Sequence, residues 1–307
     1  MARDPKRKFY LNGYGRHPEN YTWHYEMLKK LDAINTNILD QSTGSILAPT
    51  ATDAFGRLRT SNPFTLFDSN YRYGDNGKWQ DQSSTGGSLN FNADEATMEL
   101  NVTTAAAAGY TRETFRVMAY QPGKSLTFMS SFVMSPAQLN LRQRVGYFDD
   151  NNGFFLERNN FTFGFVKRSS VEGRIEETTV YQSAWNGDKL DGTGPSGITL
   201  DLDDAQILWA DFEWLGVGSV RMGFVIDGKF IVCHTFRHAN EIQSTYITTA
   251  CLPLRYEIYN TGVINNPATL KQICSTVLSE GGYELRGEQY NAGTTIGSPI
   301  GFTTANT

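Results

Sequence analysis

The sequence predicts an all-β protein, an antiparallel sandwich or barrel, on three observations. Aromatic residues make up 13% of the 307 positions, charged residues only 19%, and there are 29 glycines, a mixture that favours sheets and tight turns over helical bundles. Two stretches read as hairpins. In "RQRVGYFDDNNGFFLERNN" aromatic-rich runs flank the turn Asp149 to Gly153, and "RMGFVIDGKFIVCHTF" folds back at Asp227-Gly228, a dipeptide favoured by the type I′ turn. Further short apolar runs with turn residues between them, "SLTFMSSFVM", "FTFGFVKRS", "ETTVYQSAW", "ITLDLDDAQILWADFEWL", "YITTACLPLRYEIYN" and "TLKQICSTVLSEGGYEL", complete the pattern of many strands.

In chain order, residues 1–20 read as an extended basic arm, with Arg3, Lys6, Arg7 and Lys8 among Pro, Gly and aromatic residues. Residues 21–45 read as one amphipathic helix. Met27, Leu31, Ile34 and Ile38 fall at alternating four- and three-residue steps and share a face, with Asn20 as N-cap and Gly44 as stop. These four residues are the candidate oligomer seam, and packing of the helix on its own domain is the alternative. Residues 46–63 form a linker with a turn expected at Gly56, residues 64–287 the β-sandwich, and residues 288–307 a small, polar tail.

The totals limit function. With 27 basic and 32 acidic residues the formal charge is −5, which argues against a surface that coats nucleic acid. No run approaches the ~20 apolar residues of a membrane-spanning helix, and the N-terminus has no apolar segment of the signal-peptide type. Cys233, Cys251 and Cys274 are odd in number and lack C-x-x-C spacing, so they read as free, buried thiols of a chain folded in a reducing cytoplasm.

Each candidate for chemistry meets a structural alternative. Gly192, Gly194 and Gly197 have G-x-G-x-x-G spacing, but strand-like sequence follows where a dinucleotide site needs a helix, so the glycines read as a loop. Asp211 and Glu213 lie two apart, which on a strand sets their Cα atoms ~6.5–7 Å apart on one face. A glycoside hydrolase uses such paired acids, but the third acid of the laminarinase pattern is missing, and no enzyme is expected. His234 and His238 would stand ~13 Å apart on an extended strand, too far to share a metal. Asp149 to Asn152 and Asp201, Asp203 and Asp204 could offer oxygen ligands to calcium, but turn formation explains them better. Trp79 and Trp185 sit in polar stretches, where stacking on a sugar is one use and packing over the sandwich end the other, favoured, one. Trp79, Trp185, Asp188 and Asp191 are the candidate glycan contacts.

The stretches "TDAFGRLRTSNPFTLFDS", "GVGSVRMGFVIDGKFIVCHTFRHAN" and "KQICSTVLSEGGYE" resemble structural proteins of tailed bacteriophages, including those that infect marine bacteria, over roughly residues 52–285. The strand order around "DFEWLGVG" and "RMGFVIDGKF" also resembles the concanavalin-like jelly roll of legume lectins, laminin G modules and phage appendage proteins. Legume-lectin metal ligands are not matched, and no cofactor is expected. The resemblance implies a virion fibre, decoration or appendage subunit whose partners are itself, as a homotrimer, and capsid, tail or baseplate proteins. In that picture the arm and helix anchor the subunit and the sandwich faces outward. A lectin-like module holding host-surface glycans is the alternative, and neither nucleic acid nor membrane is an expected partner.

Overall fold

The computed structural model describes residues 53–57 and 62–285. The arm with Arg3, Lys6, Arg7 and Lys8, the helix with Met27, Leu31, Ile34 and Ile38, and the C-terminal tail lie outside the described residues. The turn expected at Gly56 is present: the Asp53 carboxylate accepts from the amides of Phe55 and Arg57 at 3.0 and 2.9 Å and pairs with the Arg57 guanidinium.

Among the described residues, fifteen strands build two antiparallel sheets packed as a jelly-roll sandwich. The eight-stranded sheet holds β1 (Phe64–Ser69), β3 (Gly87–Asn92), β4 (Thr97–Val102), β6 (Leu126–Val133), β11 (Gln206–Phe212), β12 (Val220–Ile226), β13 (Lys229–Phe236) and β15 (Ala268–Ser279). Its order is β13-β12-β11-β6-β15-β4-β3, and β1 pairs with the far end of β15. The seven-stranded sheet holds β2 (Trp79–Ser83), β5 (Gly109–Thr114), β7 (Leu141–Phe148), β8 (Gly153–Asn159), β9 (Thr162–Ser169), β10 (Glu176–Tyr181) and β14 (Leu254–Asn260), in the order β10-β9-β8-β7-β14-β5-β2.

Alternation along the strands fills the space between the sheets. Phe128 and Phe212 from the eight-stranded sheet meet Tyr147 from the other, with ring centroids 5.8 and 5.3 Å away. The Tyr147 hydroxyl donates to the Ala250 carbonyl at 2.8 Å and accepts from the Leu252 amide at 3.1 Å. These bonds hold residues 246–253 across the end of the sandwich, and their backbone is thereby drawn out of any ladder. The strand expected from Tyr246 onward therefore begins only at Leu254. Residues 198–205 also form a loop rather than strand: Asp201 accepts from the Asp203 amide at 2.9 Å, and the Gln206 side chain donates to the Asp201 carbonyl at 2.6 Å.

The two hairpin turns lie where turn chemistry puts them. Asp227 and Gly228 have φ of 51° and 72°, the positive pair a type I′ turn needs. Asp149 accepts from the amides of Asn151 and Asn152 at 2.8 and 2.6 Å, closing the β7–β8 turn. The thiols are free, but only Cys233 is buried; Cys251 and Cys274 are exposed, Cys274 because it follows a bulge in β15 after Gln272.

A charged side chain joins the two sheets through the core. Arg112 on β5 is fully buried between the sheets, with its Nε 3.0 Å from Gln272 Oε1 on β15 and its two terminal nitrogens 2.6 Å from Asp75 and Asp81. It ties one sheet to the other. Arg112→Ala leaves two carboxylates without their cation and is expected to cost about 3–5 kcal/mol. Lys271→Ala, which removes a partly exposed pair with Glu95, is expected to cost no more than about 1 kcal/mol. Guanidinium denaturation of the two variants side by side checks the contrast.

Candidate functional site

The outer surface of the seven-stranded sheet is polar where the inner surface is apolar. Positions alternating with the core residues Tyr110, Val145, Leu156, Leu254 and Tyr256 point outward. The registers place Gln80, Glu113, Arg255, Gly146 and Phe155 in one row across five strands, and Gln82, Thr111, Glu257, Arg144 and Glu157 in the next.

Opposite charges face one another along and between these rows. Arg255 lies 2.9 Å from Glu113 and 2.6 Å from Asp150. Arg144 lies 2.6 Å from Glu157 and 3.6 Å from Glu257, whose Oε1 also accepts from Arg142 at 2.8 Å. Arg168 on β9 pairs with Glu177 on β10 at 2.6 Å. Beneath the guanidinium groups lies a small apolar island of Phe148, Phe155 and Val166, all fully buried, with the two rings 4.3 Å apart. Arg144 and Arg168 sit 4.9 and 5.0 Å from the Phe155 centroid, and Arg255 lies 5.5 Å from that of Phe148. The arginine stems thus cover the rings while their heads meet carboxylates.

Toward the β2 edge this surface opens into two adjoining clefts. One, of about 200 Å³, is lined by Gln80, Asp81, Gln82, Thr111, Glu113 and Arg255. The other, of about 280 Å³, is lined among others by Gln82, Ser84, Thr111, Arg142, Glu257 and Tyr259. Gln82 and Thr111 belong to both. The Tyr259 ring crosses β5 at Gly109, where a Cβ would stand 2.6 Å from its Cδ2, so a side chain there would displace the ring. The clefts together form a groove of amides, hydroxyls and carboxylates at fixed spacing, suited to a ligand with many hydroxyl groups.

None of the four glycan-contact candidates named from sequence lines this groove. Trp79 begins β2 rather than lying in a loop, and it is buried, its Nε1 donating to Ser69 Oγ at 2.9 Å. Trp185 is buried in a stack with Phe165 at 4.5 Å, its Nε1 donating to the Val180 carbonyl at 3.1 Å. Both ring systems are thus committed to packing, which corrects the stacking use. Asp188 is also buried: it accepts from the amides of Leu190 and Ser196 at 2.9 and 2.7 Å, bonds that hold its carboxyl below the usual range against the opposing effect of burial. Asp191 is exposed and accepts from the Thr193 amide and hydroxyl.

This also explains the glycine pattern. Gly192 and Gly197 have φ of 83° and 67°, and a Cβ on Gly194 would lie 2.0 Å from Asp188 Oδ1. The glycines wrap the loop around a carboxylate of the chain itself. The same loop begins by pairing with the outer edge of β13, where the amides of Gly187 and Asp188 donate to the Cys233 and Val232 carbonyls at 2.8 and 3.0 Å.

The remaining candidates serve structure. Asp211 is fully buried against Arg221, with Arg221 Nε 2.8 Å away, and Glu213 lies beyond the end of β11, accepting from the Ser219 amide at 3.0 Å. His234 lies on β13 and His238 in the loop after it; His238 Nδ1 is 2.6 Å from the Gly218 carbonyl and its ring stacks on Tyr246 at 4.1 Å. Among the described residues no three His, Cys, Asp or Glu side chains gather as a metal-binding group, and no helix is long and apolar enough to cross a membrane.

No protein-family model matches the chain, and no curated protein sequence does. Among solved structures, the carbohydrate recognition domain of Emp47p is similar at TM-score 0.44 and 12% identity, covering 72% of this chain and 98% of that one. A protein of unknown function from Shewanella oneidensis MR-1 is similar at TM-score 0.42 and 12% identity, covering 79% and 98%. The receptor binding domain of botulinum neurotoxin D is similar at 0.41 and 9%, covering 70% of this chain and 49% of that one.

Burial moves both histidines down to about 4 from the ordinary 6.5, with nearby Arg237 and Lys167 acting in the same direction on His234 and His238 respectively. Between those values the unfolded chain binds protons that the folded one does not. The stability due to the neutral rings is therefore complete above about 6.5 and is lost as pH falls toward about 4. Glu213, whose carboxyl burial raises, takes up a proton more readily when folded and opposes this loss near the acid end. Denaturation free energy measured from pH 7 to pH 4 is expected to fall, by on the order of 2–3 kcal/mol per ring at most, and to fall less steeply in His238→Gln.

Proposed function

We propose that the chain is a non-catalytic glycan-binding β-sandwich carried as a structural subunit of a tailed-phage particle. The groove on the outer face of the seven-stranded sheet carries the binding half of this reading. Its amides and carboxylates come from β2, β5 and β14 and the Arg142 guanidinium from β7, so all but Ser84, just beyond β2, stand on strands rather than on loops. Planar polar side chains of this kind each offer paired hydrogen bonds to neighbouring sugar hydroxyls. The acids that could have suggested hydrolysis are spent elsewhere: Asp211 on Arg221, and Glu213 on its own loop. Gln82→Ala and Thr111→Ala are each expected to weaken glycan binding about tenfold, equivalent to ~1.4 kcal/mol, by calorimetric titration. Trp185→Phe, a change in the core, is expected to leave the affinity unaltered.

The particle half of the reading is supported by the phage-protein resemblance of the stretches that form β1, the β12–β13 hairpin and β15. It assigns anchoring and trimerisation to the sequence before residue 46, with Arg3, Lys6, Arg7 and Lys8 toward neighbouring virion proteins and Met27, Leu31, Ile34 and Ile38 as the seam. Light scattering of the full chain is expected to give three times the mass of one chain, and deletion of residues 1–45 to give a monomer. A full-length monomer, or a trimer unaffected by the deletion, overturns that assignment.

A further inference from the structure

We propose that the groove selects neutral glycans and rejects acidic ones, an inference that rests on the glycan-binding reading above. Its basis is the state of the arginines. Arg142, Arg144, Arg168 and Arg255 on this face each already face a carboxylate within 2.9 Å. Arg255 has a second in Asp150, and Arg144 further ones in Glu177 and Glu257. The face thus holds more carboxylates than guanidinium groups.

The arginines cannot readily turn to a new partner. The Arg144, Arg168 and Arg255 side chains are only 7–8% exposed, packed over Phe148 and Phe155. A uronate, sialate, sulfate or phosphate entering the clefts would have to displace a glutamate from its arginine and leave that carboxylate uncompensated, or sit among carboxylates unpaired. Either costs far more than one hydrogen bond returns. A hydroxyl group carries no such penalty, since it can donate to Glu257, or to Glu113 beside the Gln80 amide that already donates to it, and accept from the amide of Gln82.

Glu257 is the pivot of the selectivity. It is the carboxylate facing Arg142, the most exposed arginine of the four at 25%, and both line the larger cleft. Removing its charge presents a guanidinium to the ligand.

The test is binding of the full chain to a panel of neutral oligosaccharides and matched uronate-containing, sialylated, sulfated and phosphorylated ones. Neutral members are expected to bind with affinity little changed from about 0.01 M to about 1 M salt, over which the Debye length falls from ~30 to ~3 Å. Acidic members are expected to bind at least about tenfold more weakly, and Glu257→Gln to gain at least that factor for them. Preference of the natural chain for acidic glycans overturns the selectivity while leaving the groove a glycan site. Binding of no glycan, neutral or acidic, overturns the reading beneath it. Circular dichroism establishes that Glu257→Gln is folded; should it not be, Glu113→Gln combined with Asp150→Asn makes the same change in the smaller cleft by freeing Arg255 of both its carboxylates, and a folded variant that gains no acidic binding counts against the proposal.

Discussion

The seven-stranded sheet depends on keeping its guanidinium groups neutralised. Four arginines lie on its outer face, Arg112 passes inward to the other sheet and Arg158 on β8 pairs with Asp203, each meeting carboxylates within hydrogen-bonding distance. Several of these pairs join residues directly opposite in the ladders: Arg255 with Glu113, Arg144 with Glu157 and with Glu257. A slip of one residue in any of those ladders would separate the charges and turn Tyr256 or Val145 out of the core. Charge pairing and apolar burial therefore specify the same register, from opposite faces of the same strands.

That agreement also sets the character of the open face. The phenylalanine island beneath Arg144, Arg168 and Arg255 restrains their stems, and the carboxylates restrain their heads, so these charged groups are held in place by their own neighbours. Such a surface loses little conformational entropy on binding. The price is limited adaptability, since a side chain that moves leaves both a charge and a ring uncovered. The ends of the sandwich work differently, through buried polar anchors such as the Tyr147 hydroxyl and the Asp188 carboxylate that gather loop amides.

Much of the sandwich was legible in the sequence because turn chemistry is local. Asp227-Gly228 and Asp149 to Gly153 each announced a hairpin in a handful of residues. The first five strands were harder to read: β2, "WQDQS", and β3, "GSLNFN", are short, polar on their outward positions and close to sheet edges, so they carry little apolar periodicity. Polar flanking residues set Trp79 and Trp185 among the possible glycan contacts, but the packing that the sequence favoured for both is what the buried rings show. The groove was invisible as a motif, since Gln82, Thr111, Arg142 and Glu257 meet only through the topology. One signal was present: the i, i+2 charges in "RQR" (142–144) and "RYE" (255–257), set within apolar strands, indicate strands whose second face is built for polar contact.

The hydrogen bonds from Gly187 and Asp188 to β13 bear on what happens when many copies of the chain are crowded together. Without that cover, "KFIVC" would be a β-branched outermost strand with unpaired amides and carbonyls, a ready template for joining sheet to sheet between molecules. The loop that wraps Asp188 occupies that margin from within the chain. It thereby guards against uncontrolled edge-to-edge polymerisation, and the Asp188 carboxylate, which gathers the loop's own amides, contributes to colloidal behaviour by keeping the guard folded.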